Sequence, residues 1–387
     1  MADAVKTLVA FESGLMIKTI TFRERLNPGK IYLNSPRLFL KKTLNSIRNE
    51  KELENRSLYL RSYPVFLNVD ATSICQLKCP LCPNGAGYEG RSRGKMSLEN
   101  YKKLMDEVGD YLIRIYLFNW GEPLLNDDVF EMVAYARGKL IQTVFSTNLN
   151  HLPSAEKLVA SGLDSLKISI DGATPGTYEK YRRGGNLDTV LKNLKLISDE
   201  KKRRNSRLPY MTWQFLVFKY NIDEMEAATK LAKETGCDAI QFIGGHSLMG
   251  LMPFSKVSEL VAKGKDYLME RDSEWSIYNE KDELKNPASV CKWLWNQAAI
   301  NWNGSVSPCS GVFPEKYDFG NCFESTLRDV WNNDAFHRAR EAVRKAELGD
   351  YKAPEGSSNV CELCARTHNY VDGVGLSRMP AVFLSEA

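Results

Sequence analysis

The 387-residue chain has no apolar run of roughly eighteen residues, so nothing in it reads as a membrane-spanning helix. Its start lacks the basic, apolar, small-residue layout of a secretory signal, because Glu12 interrupts the only short apolar run there. A cytoplasmic location is therefore expected. Internal repeats and low-complexity tracts are also missing. Net charge is only +4, and residues 1–62, with 12 Lys/Arg against 6 Asp/Glu, carry +6 of it, leaving −2 for the remainder. A near-neutral remainder has no nucleic-acid footprint. Hydrophobic (43%) and charged (26%) fractions are those of an ordinary soluble domain, with enough chain for a large unit plus a smaller one.

What is present in quantity is cysteine. In a reducing compartment nine of them argue for metal or redox chemistry rather than disulfides. Eight of the nine fall within 75–82 and 291–364, and Cys237 stands apart. The pattern around them divides the chain into a basic helical arm (1–62), an α/β unit (63–243), a connector (244–290) and a cysteine-bearing module (291–387). In the arm, Ser35 is placed to cap a helix beginning at Pro36, with Leu40, Leu44 and Ile47 along one face. That face is expected either to pack on the α/β unit or to touch a membrane surface or lipid-linked substrate.

Between 63 and 243, strand patterns alternate with helical ones. Strands are predicted over Val65–Asp70, Ile113–Asn119, Thr143–Thr147, Leu166–Ile170, Thr212–Phe218 and Ala239–Ile243. Helices are predicted over Leu98–Val108, Asp127–Arg137, Ser154–Ala160, Leu187–Ser198 and Ile222–Thr235. Six such units with right-handed crossovers predict parallel strands in a partial (β/α)6 barrel, with reactive groups at the C-terminal strand ends. A further helix is predicted near Thr326–Arg344.

Directly after the first strand comes Ile74-Cys75-Gln76-Leu77-Lys78-Cys79-Pro80-Leu81-Cys82-Pro83-Asn84. Three thiolates on one short loop suit a soft metal centre, and an odd number leaves one iron of a [4Fe-4S] cube open. A structural zinc site would ask for a fourth ligand nearby. This C-x3-C-x2-C loop resembles the signature of the radical S-adenosylmethionine (SAM) superfamily. The resemblance implies that the SAM amino and carboxylate groups bind the open iron. One electron then splits the sulfonium, and the resulting 5′-deoxyadenosyl radical removes hydrogen from a substrate.

Other segments resemble the same family at successive strand ends. Asn119-Trp120-Gly121-Glu122-Pro123 is similar to its GGEP segment, with Trp120 where glycine is usual, and implies contact of Gly121, Glu122 and Pro123 with the SAM amino group. Ser146-Thr147-Asn148 follows the third strand. Ser169-Ile170-Asp171-Gly172 resembles the ribose-contacting segment, with Ser169 and Asp171 on one strand face. Tyr181-Arg182-Arg183-Gly184-Gly185 matches an arginine before glycine, and Arg183 is the candidate for the SAM carboxylate. Gln214 completes the expected polar lining, with Asn221 at the other end of its strand.

The C-terminal run Cys291 … Gly304 … Cys309, then Cys361-Glu362-Leu363-Cys364, resembles a SPASM domain shortened toward the twitch form. That resemblance implies a second [4Fe-4S] cluster held by Cys291, Cys309, Cys361 and Cys364, with no open iron; a four-cysteine zinc site fits the spacing as well. Cys322 is a spare thiol and Cys237 a packed one. The expected substrate is a peptide, a sugar or aminocyclitol, or a lipid-linked molecule, undergoing oxidation, epimerisation or cross-linking. A reductant such as flavodoxin or ferredoxin is implied. The competing reading is a non-catalytic interaction protein with zinc in both cysteine zones.

Overall fold

A computed structural model describes residues 35–245, 264–276, 291–349, 351–367 and 382–384. Most of the predicted arm and connector thus lies outside the described residues. Among the described residues nine strands form one sheet: β1 (Phe66–Val69), β2 (Arg114–Tyr116), β3 (Gln142–Thr147), β4 (Ser165–Ser169), β5 (Tyr210–Val217), β6 (Ala239–Gly244), β7 (Gln297–Ile300), β8 (Val306–Ser307) and β9 (Val382–Phe383). Their order is β8-β7-β1-β2-β3-β4-β5-β6-β9. From β7 to β6 every pair is parallel, and only the two edges turn antiparallel. The six predicted strands are those of the expected partial barrel.

The helices that cover them are α1 (Pro36–Glu54), α2 (Leu98–Val108), α3 (Val129–Gly138), α4 (Ala155–Ala160), α5 (Pro175–Tyr181), α6 (Leu187–Arg203) and α7 (Met225–Glu234). The C-terminal part adds α8 (Trp293–Asn296), α9 (Leu327–Trp331), α10 (Asp334–Glu347) and α11 (Val360–Thr367). Caps set many of the starts. Ser97, Ser154, Thr174, Asn186, Thr326 and Asn333 each accept a first-turn N–H. Strand β5 shows how the barrel is patterned. Met211, Trp213, Phe215 and Val217 are buried against the helices, and the alternate residues Thr212, Gln214 and Leu216 are half-buried on the inner side.

Three expectations need correction. The helix at 36–54 forms, but Ser35 makes no side-chain cap. Its apolar face does not pack on the barrel: Leu40, Leu44 and Ile47 are 52%, 54% and 40% exposed, and Lys42, Thr43, Asn45 and Asn49 are buried instead. Three of them satisfy backbone carbonyls, with Lys42 Nζ donating to Gly109 O (2.7 Å), Asn45 Nδ2 to Tyr63 O (3.0 Å) and Asn49 Nδ2 to Trp295 O (2.6 Å). Second, the helix predicted over 326–344 is two, broken where Asn332 turns to Leu60 and Asn333 caps the next helix. Third, the C-terminal module is joined to the barrel sheet, because β7 pairs along the whole of β1. Among the described residues no helix is long and apolar enough to cross a membrane.

Candidate active site

The cysteine loop leaves the C-terminal end of β1 and is pinned by close backbone contacts. A Cβ on Gly85 would stand 2.5 Å from Cys79 N, and one on Gly121 would stand 1.8 Å from Thr72 O. Only glycine lets the loop fold back on itself and lets the 119–123 turn dock beneath it. Lys78 N donates to Arg183 O (2.9 Å), Glu122 N to Ile74 O (2.9 Å), and Asn84 Nδ2 to both Ser73 O (2.8 Å) and Trp120 O (2.9 Å).

The three thiols face polar partners. Asn148 Nδ2 lies 3.7 Å from Cys75 Sγ, and Gln76 Nε2 donates to Asn148 Oδ1 (3.1 Å). Arg182 Nη1 lies 3.8 Å from Cys79 Sγ, while its Nε donates to Asp171 Oδ2 (2.5 Å). Burial, more than anything else, pushes Cys75 up to about 12 and Cys79 up to about 11, and raises Cys82 as well. Three desolvated thiols beside one guanidinium are costly to ionise without further positive charge. Iron supplies that charge, so this donor set fits a cluster with one open position.

The other expected residues sort into two groups. Glu122 is buried and fully bonded: Oε1 accepts from Thr147 Oγ1 (2.6 Å) and Leu124 N (3.2 Å), Oε2 from Asn148 N (2.7 Å). It ties the Gly121–Pro123 turn to the end of β3, and burial pushes its carboxyl up to about 7. Asp171 is fully buried, with Oδ1 accepting from Leu216 N (2.7 Å) and Oδ2 held by Arg182. Both carboxylates therefore brace the site. Ser146, Ser169 and Gln214 are half-buried on the inner strand faces, with Ser146 Oγ and Ser169 Oγ 3.5 Å apart. Arg183 is exposed and donates to Tyr267 Oη (2.8 Å), so Arg182 is the arginine at the thiols. The doubled Arg182-Arg183 is a visible signal, but the choice between them depends on where α5 ends. Arg182, its C-cap, turns inward and Arg183 outward. Gln76 in the cysteine loop and Thr147 in the Ser146–Asn148 segment make contacts that their motifs do not announce, as does Tyr267 in the connector.

The second set of thiols converges as well. Cys291 precedes α8, Cys309 lies in the turn after β8, and Cys361 and Cys364 sit on α11. Desolvation raises all four thiols, pushing Cys291 up to about 12, and after burial the largest contributions to Cys361 come from Cys309, Cys291 and Cys364. Cys322 feels Glu107 and no other thiol, and Cys237 has Thr235 Oγ1 at 4.0 Å. Among the described residues no three His, Cys, Asp or Glu side chains close to the spacing of a single ion. The thiols of each set are nonetheless near enough to perturb one another, a wider spacing that suits the corners of a four-iron cube.

The two cysteine regions are clamped together. Arg91, nine residues beyond Cys82, forks onto Asp318 (Nη1–Oδ2 and Nη2–Oδ1 both 3.0 Å) and donates to Phe313 O (2.5 Å) and Val312 O (3.4 Å), just after Cys309. The same turn meets the 119–123 segment. Trp120 packs edge-on against Phe313 with centroids 5.1 Å apart, and Asn119 Nδ2, oriented to satisfy both its partners, donates to Ser310 O (3.3 Å).

Comparison with known proteins gives two family matches: the Radical SAM superfamily over residues 69–232, and the SPASM iron-sulfur cluster-binding domain over 291–365. An AdoMet-dependent heme synthase from Methanosarcina barkeri is 30% identical over 77% of this chain and 88% of its own. A PqqA peptide cyclase from Ruegeria pomeroyi is 23% identical over 79% of this chain and 80% of its own. Among solved structures, SuiB of Streptococcus suis bound to S-adenosylmethionine matches with a TM-score of 0.55 at 15% identity, covering 95% of this chain and 90% of that one.

Proposed function

Since the chain belongs to the radical SAM superfamily and carries a SPASM iron–sulfur domain, we propose that it couples SAM cleavage to an oxidation at an unactivated carbon of its substrate. The observation that carries the reading is the three-thiol loop at the C-terminal strand ends, with Asn148 and Arg182 already turned onto its sulfurs. Cys75, Cys79 and Cys82 would hold a [4Fe-4S] cluster, which with SAM supplies reductive sulfonium cleavage and a hydrogen-abstracting radical.

Around that chemistry the chain's own residues bind and orient. Arg182 holds the SAM carboxylate, because its guanidinium is fixed beside Cys79 by buried Asp171 and pre-organised for a carboxylate fork. Ser146, Ser169 and Gln214 offer hydroxyl and amide groups to the ribose from the inner strand faces. The Gly121–Pro123 turn, braced by the Glu122 carboxylate, presents backbone groups to the amine. Cys291, Cys309, Cys361 and Cys364 would hold a second cluster, and a full set of four protein thiolates suits electron transfer from the substrate. A flavodoxin- or ferredoxin-type protein would reduce the first cluster. The related heme synthase and peptide cyclase support the reaction type, and their names point to two different substrate classes.

Iron analysis with a SAM-cleavage assay tests this. Anaerobically reconstituted wild type should carry about eight irons per chain, two clusters' worth. The Cys75→Ala/Cys79→Ala/Cys82→Ala variant should keep about half and form no 5′-deoxyadenosine. Fully loaded wild type that leaves SAM intact under a strong reductant would refute the function. Four irons with zinc at the C-terminal cysteines would refute the second cluster.

A further inference from the structure

The parallel register determines which side chains look into the barrel. Arg114 is level with Gln142; Ser146, Lys167 and Thr212 form one row; Ser169, Gln214 and Gln241 form the next row toward the cysteine loop. The alternate residues, among them Ile115, Phe145, Ile168 and Trp213, belong to the core beneath the helices. Within the strand bounds the inner face of β1–β6 carries two charged side chains, Arg114 and Lys167, and no Asp or Glu; Asp70 and Asp171 follow the C-terminal ends of β1 and β4 and are taken up by Trp120 N and Gly121 N and by Arg182.

These two cations differ in how they are satisfied. Arg114 Nε donates to Gln142 Oε1 (2.6 Å) and Nη1 to Tyr116 Oη (3.1 Å). Lys167 Nζ has neither a hydrogen bond nor an ion pair among the described residues, although the side chain is set inside the barrel. Burial, and then the charge of Arg114, holds its pKa below the ordinary lysine value. A lysine placed on the core-facing side of β4 would have been simpler to replace with an apolar residue. On the inner face it leaves a cation with neutral neighbours, Ser146 and Thr212, and nothing to neutralise it. Its row, which includes Ser146, lies one row below Ser169 and Gln214 and so borders the place the proposed function gives the SAM ribose.

We propose that the barrel interior binds a carboxylate of the substrate, with Lys167 as the contacting cation and Arg114 as a second positive charge behind it. The substrate is thus an acid whose carboxylate lies in the barrel while the carbon to be attacked faces SAM. This deepens the proposed function and rests on it for the position of SAM.

Calorimetric titration of the cluster-loaded, SAM-saturated full chain with glutarate, glutaramide and inorganic phosphate tests it, saturation with SAM keeping the Arg182 side occupied. Glutarate should bind wild type saturably and glutaramide should not. Lys167→Met should weaken glutarate by about tenfold or more, the loss of one charge-assisted hydrogen bond, and Lys167→Arg should restore most of it. Equal glutarate affinity in wild type and Lys167→Met, binding of glutaramide as tight as glutarate, or tighter binding of phosphate than glutarate would overturn the carboxylate site. SAM binding is measured first on the same samples. Wild type that fails to bind SAM refutes the proposed function, whereas wild type that binds SAM but shows no Lys167-dependent glutarate binding refutes this inference alone.

Discussion

Replacing Arg91 with methionine keeps most of its volume and removes the charge from a pair that is almost wholly buried, with 2% and 5% of the two side chains exposed. Losing one partner of a buried pair costs about 3–5 kcal/mol, because the remaining charge is stranded. Here Asp318 would retain Ser305 Oγ (2.7 Å) and Ser307 Oγ as donors, with Asn301 Nδ2 at 3.4 Å. Those contacts place the expected cost at the lower end, about 3 kcal/mol. The carbonyls of Val312 and Phe313 also lose their donor. Asp318→Asn alone strands the guanidinium instead and should cost a similar amount. The double variant strands neither charge and should recover about 2 kcal/mol relative to the sum of the singles. Guanidinium denaturation of the reduced apoprotein reads these values as midpoint shifts at constant slope. Tryptophan fluorescence is a suitable probe because Trp120 and Trp302 flank the clamp, the latter donating to Ser92 O (3.1 Å). Single variants that each cost less than about 1 kcal/mol, or that add without coupling, would refute the clamp.

The site yields two more expectations. Arg182→Gln should weaken SAM binding by roughly ten- to a hundred-fold at unchanged iron content, and Arg183→Ala by much less, as equilibrium dialysis would show; the opposite ranking would move the carboxylate contact to Arg183. Asp70 is buried, and burial pushes its carboxyl up to about 7 although Trp120 N and Gly121 N point at Oδ1. Its folded-state pKa therefore lies above an unfolded value near about 3.9, so the folded chain holds the proton more tightly. Stability from this group is complete below about pH 4 and declines as pH rises to about 7, by on the order of 4 kcal/mol. Asp70→Asn should flatten that slope in apoprotein melts, and an unchanged slope would show that Asp70 stays ionised.

What the sequence reveals here depends on how local the determinant is. The Cys75–Cys82 loop is legible because its chemistry is contained in eight consecutive residues, and the six barrel strands because their alternation with helices is regular. Strand β7, Gln-Ala-Ala-Ile, has no strand signal of its own and exists because β1 offers it an edge. Helix α1 reverses the usual rule. Asn45 and Lys42 are buried because loop carbonyls at 63, 109 and 112 need donors, a demand no helical periodicity contains. α5 was hidden by Pro175-Gly176, which reads as a turn although Thr174 caps a helix there. Arg182 and Arg183 look equivalent in sequence, and only the helix end separates the one at Cys79 from the one at Tyr267.

The pairing of β7 with β1 also sets a schedule. Phe66 meets Gln297, a residue synthesised 231 positions later (297 − 66). At a translation rate of roughly 5–20 residues per second, that interval lasts about 12–46 s. Strands β2 to β6 can dock in order as they emerge, but the outer edge of β1 waits through the whole interval with its N–H and C=O groups unpaired. An unpaired edge of this kind recruits any extended segment within reach, including the same strand of a neighbouring nascent chain. The barrel is therefore most vulnerable to aggregation on the ribosome, and slowing elongation through the middle of the message should lower soluble yield more than slowing it near either end.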